Sequence, residues 1–239
     1  MMHKFSIAVV TYNTLFYTKL QLMKLREHIP AGSYEILVYD NGSTDGTREW
    51  LAEQPEVRLY TGASTNDRSH GQALDFLAEK ASHAVFCTLD ADAWPVSDNW
   101  TDPMFALSDD VVLAGIDREW GFTLKRGYIH PSYLFGWTEW VRKFTFSHIW
   151  PEKGNKYDTG EKVTEGVFAA GKQIRCWNPK MVTFDDRFTP KPCDYAGLVW
   201  HVWWSSRKAV SPGLVGQEFE DEYHDFCVDF FRKKYDLDF

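Results

Sequence analysis

Apolar and polar positions alternate in blocks along the first hundred residues. Phe5-Ser6-Ile7-Ala8-Val9-Val10 is a short, nearly continuous apolar run, which predicts a strand buried on both faces. Leu15, Phe16, Leu20, Met23 and Ile29 then recur at mostly helical spacing, and Pro30-Ala31-Gly32 stops the helix. A second strand is expected over Tyr34–Tyr39, a helix over Thr47–Gln54 and a third, short strand over Val57–Tyr60. Ser69-His70-Gly71-Gln72 opens a further helix with Leu74, Leu77, Ala78 and Ala81 on one face, and the Ala84–Leu89 run follows as a strand. Strands alternating with helices through short links predict a mostly parallel α/β sheet flanked by helices.

Polar residues gather where these strands end: Thr11-Tyr12-Asn13, Asp40-Asn41 and Asp90-Ala91-Asp92. In an open parallel sheet the carboxyl ends of the strands form the ligand crevice. A buried unpaired carboxylate is costly, so two acids at such an end need a cation, a hydrogen-bonding ligand or water. On extended backbone, residues i and i+2 point to one side, and Asp90 and Asp92 are expected to converge in that way. Asp-x-Asp alone is unspecific, since Asp236-Leu237-Asp238 repeats it with no strand before it. The Asp40–Thr47 stretch is dense in turn and capping residues, and capping explains part of its composition. No G-x-G-x-x-G follows the first strand and no G-x-x-x-x-G-K-[ST] occurs. A diphosphate would therefore be held through a metal on the carboxylates, and hard oxygen ligands suit Mn2+ or Mg2+.

Composition narrows the partners. A formal net charge of −8 over 239 residues argues against nucleic acid. The four cysteines show neither paired nor metal-knuckle spacing and read as reduced thiols, which suits a cytoplasmic protein. There is no signal-peptide pattern and no apolar run near 18 residues, so no transmembrane segment is expected; peripheral membrane contact stays open.

Beyond Trp94 the pattern loosens. Val111–Gly115 predicts a strand, followed by an aromatic-rich stretch whose rings suit either a core or the apolar faces of sugars. Trp94, directly after the acid pair, is the aromatic expected to face a ligand. Tyr157-Asp158-Thr159-Gly160-Glu161 leads into a helix running to Ala170 and closed by Gly171. Asp185-Asp186-Arg187 and Cys193-Asp194-Tyr195 are turn-like links. His201 lies in the aromatic segment Val199–Trp204, and Arg207 offers a clamp for a diphosphate. Gln217–Tyr235 reads as an amphipathic helix packed on the domain.

Three motifs in order carry a resemblance: Ser6-Ile7-Ala8-Val9-Val10-Thr11-Tyr12-Asn13, then Glu35–Thr47 with Asp40-Asn41-Gly42-Ser43, then Leu89-Asp90-Ala91-Asp92. With them, residues 5–105 resemble the nucleotide-binding half of glycosyltransferase family 2, which has the GT-A fold. The resemblance implies a nucleotide-sugar-binding half over residues 1–105 and an acceptor-binding half with the C-terminal helix over 106–239, in one continuous domain. It implies a metal-dependent transferase that moves a sugar from a UDP-, GDP- or dTDP-linked donor to a glycan, lipid-linked, protein or small-molecule acceptor. By the same resemblance Thr11 and Tyr12 lie near the base and Asp40 holds the base or ribose, with Asn41 where many members carry a second acid. Asp90 would reach the ribose, Asp92 would bind the metal with His201 added late, and His70 and Gly71 would approach the donor. Inverting members place a general base at a helix start near 158–161. Here Thr159-Gly160 occupies the usual acid pair, so the base stays open between Asp158 and Glu161, and retention of configuration stays open too. Two rivals remain: a sugar nucleotidyltransferase, which should carry a Gly- and Arg-rich first loop, and a non-catalytic carbohydrate- or nucleotide-sugar-binding protein on the same scaffold.

Overall fold

In a computed structural model the chain is described over residues 4–62, 67–118, 127–147, 157–181, 193–202 and 217–239. The first half follows the apolar pattern. Strands β1 (Phe5–Thr11), β2 (Tyr34–Asp40), β3 (Val57–Thr61) and β4 (Val85–Leu89) alternate with helices α1 (Leu15–His28), α2 (Thr47–Ala52) and α3 (His70–Lys80). Ser69 caps α3 with a reciprocal pair of bonds to Gln72, as the Ser-x-x-Gln spacing requires. A short strand β5 (Ala93–Pro95) and a 3₁₀ helix (Asp102–Ala106) follow.

The second half adds β6 (Val111–Arg118), β7 (Tyr128–Trp137), α4 (Thr138–Val141), α5 (Glu161–Ala169), β8 (Gln173–Trp177), β9 (Lys180–Met181), β10 (Cys193–Tyr195), β11 (Val199–His201) and α6 (Gln217–Tyr235). The central sheet runs β3-β2-β1-β4-β7-β6-β8. Only β7 is antiparallel to its neighbours, so the sheet is mostly parallel, as expected. Apolar residues fill both faces. Ile7, Val9, Ile36 and Val38 pack with Leu22 and Leu25 of α1 on one side, while Ala8 and Leu37 pack with Leu74 and Leu77 of α3 on the other. This two-sided burial is why β1 reads as a continuous apolar run.

A second, antiparallel sheet has the order β5-β11-β10-β9. It corrects two expectations. Cys193–Tyr195 is strand and not a turn. Trp94 does not face a ligand. Its ring is fully buried, stacked on Tyr17 at 6.5 Å between centroids and edge-on to Phe231 at 4.7 Å, and its indole N–H donates to the Tyr235 hydroxyl at 3.3 Å. Trp94 thereby joins α1 to α6, whose Tyr223, Cys227 and Phe231 are buried against it. The expected packing of the C-terminal helix on the domain is borne out. Residues 185–187 and Arg207 lie outside the described residues. Among the described residues no helix is long and apolar enough to cross a membrane, and Cys87, Cys176 and Cys227 are free thiols.

Replacing Trp94 by Ala should therefore lower stability by about 3–5 kcal/mol in chemical denaturation, the usual cost of emptying an aromatic core site. Unchanged stability would return Trp94 to a ligand-facing role.

Candidate active site

The sheet order turns at β1, which has β2 and then β3 on one side and β4 on the other. The crevice of an α/β sheet forms at such a reversal. Asp90 and Asp92 sit there, but not on extended backbone. Strand β4 ends at Leu89, and residues 90–93 make a tight turn closed by the Ala93 N–H donating to the Asp90 carbonyl at 3.0 Å. The two acids converge because the chain folds back into β5.

His201 is brought to them by strand pairing. In the β5–β11 ladder His201 lies opposite Ala93, and the next N–H, of Val202, donates to the Asp92 carbonyl at 3.0 Å. The His201 Nε2 then stands 3.2 Å from Asp92 Oδ1 and 3.5 Å from Asp90 Oδ2. One ligand atom from each of Asp90, Asp92 and His201 fits within 4.8 Å of the others. Asp92 and His201 are buried, and Asp90 Oδ1 is buried without a hydrogen-bond partner. Burial pushes the Asp90 carboxyl up; the His70 and His201 imidazoles oppose that, and the Asp92 and Asp158 carboxylates add to it. Two carboxylates and one imidazole, close together and with one buried carboxylate oxygen lacking a hydrogen bond, form a donor set that fits Mn2+ or Mg2+.

His70 opens α3 with Nε2 3.6 Å from Asp90 Oδ1, on the rim of the same cluster. Gly71 beside it is glycine for a packing reason. A Cβ there would lie 2.2 Å from the Phe146 carbonyl oxygen.

The acids of the second motif are spent on the protein itself. Asp40 is fully buried. Its Oδ1 accepts from the N–H groups of Gly42 and Ser43 at 3.2 and 3.0 Å, and its Oδ2 accepts from the hydroxyls of Thr11 and Ser43 at 3.1 and 2.5 Å. These bonds tie the loop to the end of β1. Asn41, at the position where many members of the resembled family carry a second acid, uses both donor and acceptor: its amide donates to the Arg68 carbonyl at 2.8 Å and accepts from the Arg68 N–H at 3.4 Å. Asp45 accepts from the N–H of Leu15, the first residue of α1, at 3.0 Å. Tyr12 is left partly exposed beside this loop.

Asp158 and Glu161 part company. Glu161 is 0% exposed, and its Oε2 accepts the Asp158 backbone N–H at the start of α5. The Asp158 side chain is 24% exposed and close enough to Asp90 for their charges to act on each other. Its Oδ2 accepts the Tyr128 hydroxyl at 2.5 Å and lies 3.6 Å from Arg118 Nε, while Oδ1 accepts the Thr159 N–H at 2.9 Å. Burial and then the Asp158 carboxylate hold the Tyr128 hydroxyl far above the usual phenol range, so it stays a donor.

Sequence reasoning missed the residues that hold this cluster. Gln21, fully buried on α1, donates from its amide to the carbonyls of Asp90 and Ala93 at 2.7 and 2.5 Å, bracing both ends of the turn. A signal existed: Thr14, Thr18, Gln21 and Leu25 form one buried helical stripe, and a Gln on such a stripe must be satisfying something. Tyr128, His130 and Ser132 alternate along β7. Burial, with Arg118, His201 and His70 nearby, pushes the His130 imidazole well below its usual range and keeps it neutral.

The comparisons with known proteins agree with this architecture. The chain belongs to glycosyl transferase family 2, whose family model matches residues 6–166. A search among curated proteins found no match. Among solved structures, the mannosyltransferase PcManGT from Pyrobaculum calidifontis, in complex with GDP-Man and Mn2+, is similar at 19% identity and a TM-score of 0.50, over 60% of this chain and 47% of that one. S. aureus TarS 1–349 in complex with UDP-GlcNAc is similar at 19% identity and a TM-score of 0.45, over 59% and 47%. The chain spans about half the length of these two structures. The first likeness shows the GT-A fold.

Replacing Gln21 by Leu should leave the Asp90 and Ala93 carbonyls without their buried donor and cost roughly 1–3 kcal/mol in urea unfolding. Equal stability of the variant would show that the turn holds itself.

Proposed function

We propose that the protein transfers a sugar from a nucleotide-diphosphate donor to an acceptor hydroxyl, with a divalent cation held by Asp90, Asp92 and His201. The observation that carries this reading is the meeting of those three side chains at the sheet's reversal point, within 4.8 Å of one another. A Mn2+ or Mg2+ ion held there supplies positive charge to the departing diphosphate. The remaining work falls to the chain's own groups.

His70 and the first turn of α3 stand beside Asp90, where the helix N-terminus and the imidazole favour a diphosphate oxygen. Tyr12, partly exposed where β1 ends, offers its ring to the base, while Thr11, Asp40 and Asn41 shape the loop beneath it. Residues 1–105 hold the donor and 106–239 the acceptor. The base of the donor, whether UDP, GDP or dTDP, is read at the Tyr12 side of the crevice.

Asp158 is the general base. It is the partly exposed member of its pair, it belongs to the half of the chain assigned to the acceptor, and Tyr128 and Arg118 hold its orientation. The acceptor hydroxyl gives its proton to a carboxylate oxygen of Asp158 while its oxygen bonds to the sugar C1. The bond from C1 to the diphosphate oxygen breaks, and the nucleoside diphosphate leaves. Attack from the face opposite the leaving group inverts the anomeric centre. Holding both reactants in this crevice lowers the barrier further through orientation. Glu161 holds the Asp158 N–H and the start of α5.

Asp158→Asn should lower kcat by about 10²–10⁴-fold, the range of a lost general base, and Glu161→Gln should leave kcat within a few-fold while lowering the melting temperature. Asp92→Ala should abolish metal-dependent turnover. A large loss in Glu161→Gln with Asp158→Asn near wild type would reverse the assignment.

A further inference from the structure

Behind His201 a line of buried hydrogen bonds runs away from the acid pair. The His201 Nδ1 is 2.5 Å from the Tyr195 hydroxyl, which is 3.0 Å from the Ser132 hydroxyl, which is 2.9 Å from the His130 Nδ1. Tyr195 and Ser132 are both fully buried. The far end sets the direction of the whole line. The Ser132 backbone N–H donates to His130 Nδ1 at 3.1 Å, so that nitrogen is an acceptor. The Ser132 hydroxyl then donates to the same nitrogen and accepts from Tyr195 O–H. The Tyr195 oxygen in turn accepts from His201 Nδ1–H. The proton of His201 is thereby placed on Nδ1, and the lone pair of Nε2 faces Asp92 at 3.2 Å and Asp90 at 3.5 Å. A lone pair aimed at two carboxylate oxygens is repulsive until a cation lies between them.

We infer that Tyr195 is a positioning residue for the cation, holding His201 in the Nδ1–H tautomer through the Tyr195–Ser132–His130 line. The inference rests on the metal reading of Asp90, Asp92 and His201 above. Local geometry makes the line available. Strand β7 pairs with β6 at Ile129 and again at Leu134, and the register slips between Gly115 and Asp117. Residues 130–133 are released from that ladder, which frees the His130 and Ser132 side chains to reach Tyr195. Pro131, which has no N–H to give a ladder, falls in the released stretch. The Tyr195 ring is held independently of its hydroxyl, stacked on Tyr133 at 6.2 Å between centroids with 10° between planes. Tyr195→Phe therefore removes the acceptor for His201 and keeps the packing. An outer partner that fixes the tautomer of a metal-binding imidazole is generally worth 10–100-fold in affinity.

The test uses Mn2+ alone, without donor or acceptor, titrated into wild type, Tyr195→Phe, Ser132→Ala and His201→Ala with free Mn2+ read by electron paramagnetic resonance. Ring 15N shifts of His201 report its tautomer in the metal-free proteins. The expected result is a 10–100-fold weaker Mn2+ affinity in Tyr195→Phe with His201 spread over both tautomers, a smaller loss in the same direction in Ser132→Ala, and no binding in His201→Ala. Wild-type affinity and an unchanged tautomer in Tyr195→Phe and Ser132→Ala would overturn the inference and leave the metal site standing. No Mn2+ binding by the wild type would overturn the metal reading itself, and this inference with it.

Discussion

Two carboxylates held beside an imidazole, one of their oxygens buried without a hydrogen bond, are the constraint around which this chain is arranged. Asp92 and His201 are buried and Asp90 nearly so, and one Asp90 oxygen has no hydrogen-bond partner. Such a cluster is unfavourable by itself, because buried like charges repel and lose their water. It persists because stable structure imposes it from several sides. Gln21 braces the turn from α1, the β5–β11 ladder sets His201 opposite Ala93, and Trp94 anchors the following residue between α1 and α6. These helix and strand contacts join parts of the sequence 69 or more residues apart. The strain is therefore distributed over the fold and not stored in one loop.

The second motif shows the complementary principle. Asp40, Asn41, Ser43 and Asp45 bear the polar groups one would assign to a ligand, yet they hold β1, β2 and the start of α1 in register. On the proposed function this loop lies beside the nucleotide, and holding it in place beforehand spares binding the cost of ordering it. Residues of this kind support function through geometry that precedes contact.

Much of the first half was legible in the sequence because the cause is local. A strand buried on both faces must be apolar throughout, and a helix between two such strands must show its own period. Asp90 and Asp92 stood out because acids at the end of a buried strand need a partner. What was misread depends on long-range pairing. Trp94 looked free beside the acid pair, but its neighbours Tyr17 and Phe231 are far away in the chain. Cys193–Tyr195 is too short to carry a period, and β7 carries Pro131 in the stretch that leaves the β6 ladder. Gln21, Tyr195, Ser132 and His130 act through partners that no local pattern reveals. The convergence of Asp90 and Asp92 was anticipated for the wrong reason, since a turn and not extended backbone produces it.

On the proposed function the acid pair and His201 bind a nucleotide-sugar through a divalent cation. Calorimetric titration of UDP-, GDP- and dTDP-sugars into the wild-type protein, with and without Mn2+, tests it most directly. One nucleotide is expected to bind with Mn2+ present and to lose that binding when the metal is chelated. Donor binding of equal strength without metal would contradict it.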